Sequence, residues 1–146
     1  PPYMPMEAQR VTFYKQLADA RANEEIDRIA DELRDRFGEL PAETETLLET
    51  YRLRLACQPL RIAGVKKSLS KVRLTFIDPV ARDVVEDYRE AAKDIPEITG
   101  IHADTMDQMV ATLTEDAAQA GGLEAVRQLL QKVAERTAAT SEAAAS

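Results

Sequence analysis

The sequence predicts an α+β fold: N-terminal helices, a small antiparallel sheet with an intervening helix, and a C-terminal helix. Three observations predict it. Apolar residues recur at three- and four-residue steps as far as Pro59, the helical period. The period then falls to two over Arg61–Lys66 and Lys71–Phe76. Helical spacing returns after Gly121-Gly122 and continues through Val133.

Each element has its own justification. The first helix is expected to begin near Pro5, because Pro pre-sets the backbone angle of a first helical position. Its inward stripe is Val11, Tyr14, Leu17, Ala18 and Arg21. Asn23 is expected to cap the second helix, with Glu24 and Glu25 in the first turn where the helix dipole favours anions. Ile26, Ile29, Ala30, Leu33 and Phe37 form its apolar stripe, and Gly38 suits the positive-φ residue past its end. Leu40-Pro41 opens a third helix with Leu47, Leu48, Tyr51 and Leu55 inward, and Pro59 stops it.

A turn at Ser68-Leu69-Ser70 joins the two strands, with Val72, Leu74 and Phe76 on one face and Lys71, Arg73 and Thr75 on the other. Asp78-Pro79 is expected to cap and start a helix running to about Lys93, with Val80, Val84, Tyr88 and Ala91 on one side and Pro96 beyond it. Ile98–Ala103 suits a short strand. Met106–Leu113 fits either a helix or a strand. Leu123, Val126, Leu129, Leu130 and Val133 make the last helix. Residues 1–138 are expected to form a single domain of a larger protein, the chain opening Pro-Pro-Tyr without Met. Residues 139–146 are small and polar and are expected to form a disordered tail.

Composition narrows the function. The 146 residues are 45% hydrophobic and 31% charged, ordinary for a soluble globular domain. No apolar run approaches the roughly 20 residues of a membrane span, and no signal peptide is visible. A single cysteine, Cys57, excludes an internal disulfide and points to a reducing cytoplasm rather than secretion, so a cytoplasmic protein is expected. A single histidine, His102, argues against His- and Cys-rich metal sites. The net charge of −7 argues against a general grip on nucleic-acid phosphates. That charge is uneven: residues 60–76 hold five bases (Arg61, Lys66, Lys67, Lys71, Arg73) and no acid, while acids outnumber bases on both sides.

Few motifs carry chemistry. Gly64-Val65-Lys66-Lys67-Ser68 has the end of a phosphate loop but lacks the first glycine and the following helix. The basic stretch 61–73 suits either a solvated hairpin whose lysines blunt a sheet edge or a nucleic-acid- or protein-binding surface. His102 with Asp104 is the one candidate for acid–base hydrolysis, and no nucleophile is paired with them by spacing. The second helix is the most informative. Asp27, Asp31 and Asp35 stand in one column at four-residue steps, with Glu24 and Glu32 beside them. Like charges at that spacing cost a few tenths of a kcal/mol each, relieved by pairs such as Glu24–Arg28 and Glu32–Arg36. Two readings stay open: a solvated, salt-laced face, or an acidic docking face that awaits a partner's arginines.

Asp35-Arg36-Phe37-Gly38-Glu39-Leu40-Pro41 resembles the signature of the C-terminal domain of bacterial transcription-repair coupling factors (Mfd). Several spaced blocks agree with it: Tyr3-Met4-Pro5; Arg10 followed by Phe13-Tyr14-Lys15 and Leu17-Ala18; Glu32-Leu33; Leu47-Leu48 and Arg52-Leu53. The resemblance covers residues 1–58 and extends through the hairpin to Phe76. It implies that the parent is an ATP-driven double-stranded DNA translocase that removes stalled RNA polymerase and recruits UvrA for nucleotide excision repair. It places ATP, Mg and the motor elsewhere in the parent, so this fragment is expected to have no cofactor and no activity of its own. The domain's implied role is autoinhibition: it docks on the UvrB-like N-terminal module and masks the UvrA-binding surface. Carried over by position, Glu32 and Asp35 meet basic residues of that module, Arg36 sits at the rim or braces Glu32, and Asp31 and Arg28 flank them. The resemblance also implies a strand at Met106–Leu113. The chain departs from the family at Arg34, where the family usually keeps an apolar residue.

Overall fold

The computed structural model describes the backbone of residues 7–145 and the side chains of residues 11–138. The expected helix start near Pro5 lies outside the described residues. The fold is α+β, with the order α1 (Glu7–Asp19), α2 (Asn23–Phe37), α3 (Ala42–Cys57), a 3₁₀ turn (Gln58–Leu60), β1 (Ile62–Ser68), β2 (Lys71–Phe76), α4 (Arg82–Ala92), β3 (Ile98–Ala103), β4 (Gln108–Leu113), α5 (Glu115–Gln119) and α6 (Leu123–Ala145). Two compact units divide the chain, one ending at Leu55 and the other starting at Ala56.

The first unit is helical. Its core contains Phe13, Leu17, Ala20, Ile26, Ile29, Ala30, Leu33, Leu40 and Leu48. The apolar stripe of α2 is thus as its periodicity predicts, with Phe37 partly buried at the end, where its ring meets Phe13 edge to face at 6.3 Å. The expected face of α1 is corrected. Leu17 is buried as expected, but Val11 and Tyr14 are 59% and 44% exposed, and Phe13 and Ala20 point inward beside Leu17. Both stripes have helical spacing, and Phe13 can be buried whole, whereas Tyr14 carries a hydroxyl that would need a partner inside. Asn23 does not cap α2. Ala22 holds the extended cap position, and Asn23 is the first helical residue with its side-chain oxygen buried and unbonded. Glu25 reaches back instead to accept from the Arg21 backbone N–H at 3.2 Å. Gly38 has φ +82°, and its N–H donates to the Arg34 carbonyl at 2.8 Å.

The second unit is a four-stranded antiparallel sheet, order β1-β2-β4-β3, with α4 packed on β3 and α6. Val72, Leu74 and Phe76 of β2 are buried, as their alternation predicts. The segment 106–113 is a strand from Gln108. Met109, Val110, Ala111 and Leu113 are all buried, because β4 is an interior strand covered on both faces; that burial hides the period-two signal. Asp78 does not cap α4. Its carboxylate accepts from Arg61 Nε at 2.6 Å, Val80 N–H donates to the Met106 carbonyl at 2.7 Å, and the helix begins only at Arg82. Tyr88 meets Phe76 edge to face at 5.8 Å. The short α5 was unforeseen; Thr114 caps it by accepting from Ala117 N–H at 3.2 Å. Gly122, φ +77°, lets the chain turn into α6 against Leu113. The backbone of α6 is helical to Ala145, past the expected domain end at 138, and the side chains of the expected tail lie outside the described residues.

Candidate functional site

Helix α2 presents its charges opposite its buried stripe. At about 100° per residue, Glu24, Arg28, Asp31 and Asp35 cluster on one line, and Ile26, Leu33 and Phe37 lie across the helix axis from them. The helix is well placed to persist while exposed. Glu24 and Glu25 sit at its positive end, Arg34 and Arg36 at its negative end, and the buried face anchors it.

The carboxylates are not equivalent. Asp27 is engaged: Arg52 on α3 donates to it at 2.6 Å and to Glu49 at 2.7 Å, forming a bridge across α2 and α3. The Arg52 side chain is only 14% exposed. Burial works against its charge, but the hydrogen bonds it donates to Asp27 and Glu49 outweigh that and hold its pKa above the ordinary value. Asp31 is 77% exposed and lies 3.6 Å from Arg34. Glu32 is half-buried and lies 3.4 Å from Arg36. Asp35 and Arg28 are exposed with no ion pair among the described residues, and the expected Glu24–Arg28 pair does not form among them.

Arg34, the departure from the family pattern, turns toward α3, where it donates to Glu45 at 2.8 Å. Its charge is thereby spent within the first unit. The structure thus brings Asp31, Glu32, Asp35, Arg28 and Arg36 onto one exposed surface and withdraws Asp27. Arg52, which withdraws it, was missed as a functional residue: an i+25 partner leaves no local signal. The chemistry available is electrostatic. Exposed carboxylates backed by a rigid helix suit a partner's guanidinium or ammonium groups.

The other candidates fare differently. Gly64–Ser68 is extended edge strand, without the strand-to-helix turn whose backbone N–H groups would cradle a phosphate, so these residues do not fit a nucleotide. Of the basic stretch, Arg61 pairs with Asp78, Lys71 donates to Thr112, and Arg73 binds Asp104 and Gln108; Lys66 and Lys67 are exposed along the edge strand. Arg73 takes the Asp104 carboxylate, while His102 stands exposed on β3. Cys57 is buried, which pushes its thiol up to about 11. Among the described residues no three His, Cys, Asp or Glu side chains converge as metal ligands, and no helix is long and apolar enough to cross a membrane.

A family model described as the TRCF domain matches residues 1–86. The transcription-repair-coupling factor of Haemophilus influenzae is 43% identical over 56 residues, covering 38% of this chain and 5% of that protein. That of Escherichia coli is 43% identical over 65 residues, covering 44% and 5%. That of Mycobacterium tuberculosis is 37% identical over 76 residues, covering 51% and 6%. The chain therefore spans about a twentieth of the length of these relatives. A crystal structure of the C-terminal domain of transcription-repair coupling factor shares the fold, with a TM-score of 0.76 over 91% of this chain and 83% of that one, at 19% identity.

Proposed function

Since the chain belongs to the TRCF-domain family, we propose that it is the autoinhibitory C-terminal domain of a transcription-repair coupling factor, which closes on the parent's own UvrB-like N-terminal module through the acidic face of α2. The parent in this reading uses ATP, in a motor elsewhere in its chain, to move on double-stranded DNA and displace stalled RNA polymerase. The docked domain covers the surface that UvrA needs. The observation that carries the reading is the outward column of Asp31 and Asp35, flanked by Glu32, on a helix whose opposite face is locked into a core.

The residues have distinct roles. Asp35 offers a carboxylate that no ion pair within the chain occupies among the described residues, and Asp31 is nearly as open. Arg36 steadies Glu32 at the edge of the face. Arg28 sets register by repelling a misplaced cation. Tethering supports such a clamp, since a linked domain faces its target at an effective concentration of roughly millimolar. A few charge-assisted contacts then suffice, and polymerase or DNA binding can still favour the open state. The test is capture of the separately expressed UvrB-like module by this chain at low and high salt. Capture that fades as the Debye length shrinks from about 10 Å at 0.1 M toward about 3 Å at 1 M is the expected result. Capture that is absent at low salt, or that salt leaves unchanged, rejects the acidic face as the clamp.

A further inference from the structure

The antiparallel register carries the basic segment of the chain onto one side of the sheet. Lys66 on β1, Arg73 on β2, Val110 on β4 and His102 on β3 are paired in one row across all four strands. Ser68, Lys71, Thr112 and Gly100 form the next row on that side, and Gly64, Thr75 and Gln108 lie in the row before it. The opposite side holds Val72, Leu74 and Phe76, and α4 packs there, with Tyr88 against Phe76. Lys66, Ser68, Lys71 and His102 are exposed, and Arg73, Thr75, Gln108 and Thr112 are half-buried.

Like charges stand together on these rows. Lys66 and Arg73 are direct cross-strand partners, and Lys71 follows two residues before Arg73 on the same face of β2. Such opposition costs a sheet stability, and a bound polyanion removes that cost. Asp104 takes Arg73, but Lys66 and Lys71 form no ion pair among the described residues. The rows are otherwise polar, for their one apolar side chain, Val110, is 4% exposed. A protein partner would find no apolar core to bury, whereas nucleic-acid interfaces are polar and positively charged. No aromatic side chain stands on these rows to stack unpaired bases, which favours a duplex over a single strand. Neutral donors flank the cations. Gln108 accepts from Arg73 through Oε1, which leaves its amide N–H groups to donate, and Thr112 accepts from Lys71, which leaves its O–H.

We propose that this side of the sheet rests on the backbone of duplex DNA. Lys66, Lys71 and Arg73 meet phosphates, while Ser68, Thr112 and Gln108 donate to phosphate oxygens, and no base is read. The net charge of −7 confines the contact to this side. The choice of DNA rests on the parent's duplex track in the reading above. The surface shares no residue with the α2 clamp, so salt-dependent capture of the UvrB-like module can fail while DNA binding holds, and the reverse.

The test is amide NMR of the 146-residue chain titrated with a DNA duplex of about 12 base pairs at about 25 mM salt, where phosphate contacts are strongest. The expected result is saturable shifts at Lys66, Lys71, Arg73, His102, Val110 and Thr112, and the same affinity for a duplex of unrelated sequence. Two to three phosphate contacts, Arg73 being partly neutralised by Asp104, weaken binding by roughly 10- to 40-fold between about 25 and 100 mM salt. Lys66→Gln plus Lys71→Gln should weaken binding at low salt and leave a salt dependence of about fourfold or less, with the melting temperature held. Lys93→Gln plus Lys132→Gln, on α4 and α6, makes the same change in charge and should leave both affinity and salt dependence as in wild type. No saturable shift on these rows, or wild-type binding by the Lys66 and Lys71 variant, would overturn the proposal. Tighter binding of a single strand would overturn the duplex, and tighter binding of an RNA duplex would overturn the choice of DNA. An oligoglutamate of equal charge that binds as tightly as DNA would replace the nucleic acid with an acidic protein segment and so overturn it too.

Discussion

Reversing charge on α2 separates docking from folding. In Glu32→Lys plus Asp35→Lys, the domain loses one surface pair, Glu32–Arg36 at 3.4 Å, and nothing else that the structure records. Such a pair contributes about 0.3–0.5 kcal/mol, and the new lysines add repulsions of a few tenths each toward Arg28 and Arg36. The cost to folding is therefore about 1 kcal/mol at most, a few degrees in melting temperature for a chain of this size. The cost to docking is larger. Two charge-assisted contacts contribute about 1.5–3 kcal/mol each, so their loss lowers the closing equilibrium by roughly 10²- to 10⁴-fold. The assay is UvrA binding to the full-length parent, wild type against variant, with thermal melting of the 146-residue chain beside it. UvrA affinity should rise while melting barely moves. Glu86→Lys plus Glu90→Lys on α4 makes the same change in net charge away from α2 and should leave UvrA affinity alone. Unchanged affinity in the α2 variant, with melting intact, refutes the assignment of this face.

Three further outcomes test the structure. Gly122→Ala should destabilise by about 2–4 kcal/mol in a denaturant titration, since a Cβ would lie 2.6 Å from Leu113 Cδ1 at φ +77°, adding overpacking to strain; Gly121→Ala, at φ +104° with open space, should show the strain alone. Leu69→Gly should stabilise by about 0.5–1 kcal/mol, because Leu69 sits at the hairpin tip at φ +54°, 86% exposed, and gives up strain without losing packing. Burial of Cys57 pushes its thiol up to about 11, so between the ordinary thiol range and about pH 11 the folded state holds a proton that the unfolded state has released, and stability should fall as pH rises through that window. Alkylation of native Cys57 at pH 8 should accordingly run far behind that of the unfolded chain, as timed by mass spectrometry.

The sequence by itself determined the helical first half, the β1–β2 hairpin, β3 and the buried stripe of α2, because those signals are local: a period, a proline, a glycine past a helix end. It also placed Asp31, Glu32 and Asp35 on one side of a helix, since spacing alone does that. Where local signals were balanced, tertiary packing chose. Phe13 rather than Tyr14 turned inward on α1, β4 lost its alternation by lying inside the sheet, and Asp78 left its capping role for Arg61. Tertiary structure alone also decided which carboxylates stay available, for Arg52 claims Asp27 and Glu45 claims Arg34 from another helix. An ion pair forms between groups that folding brings within about 4 Å, and their separation along the chain carries no trace of that meeting.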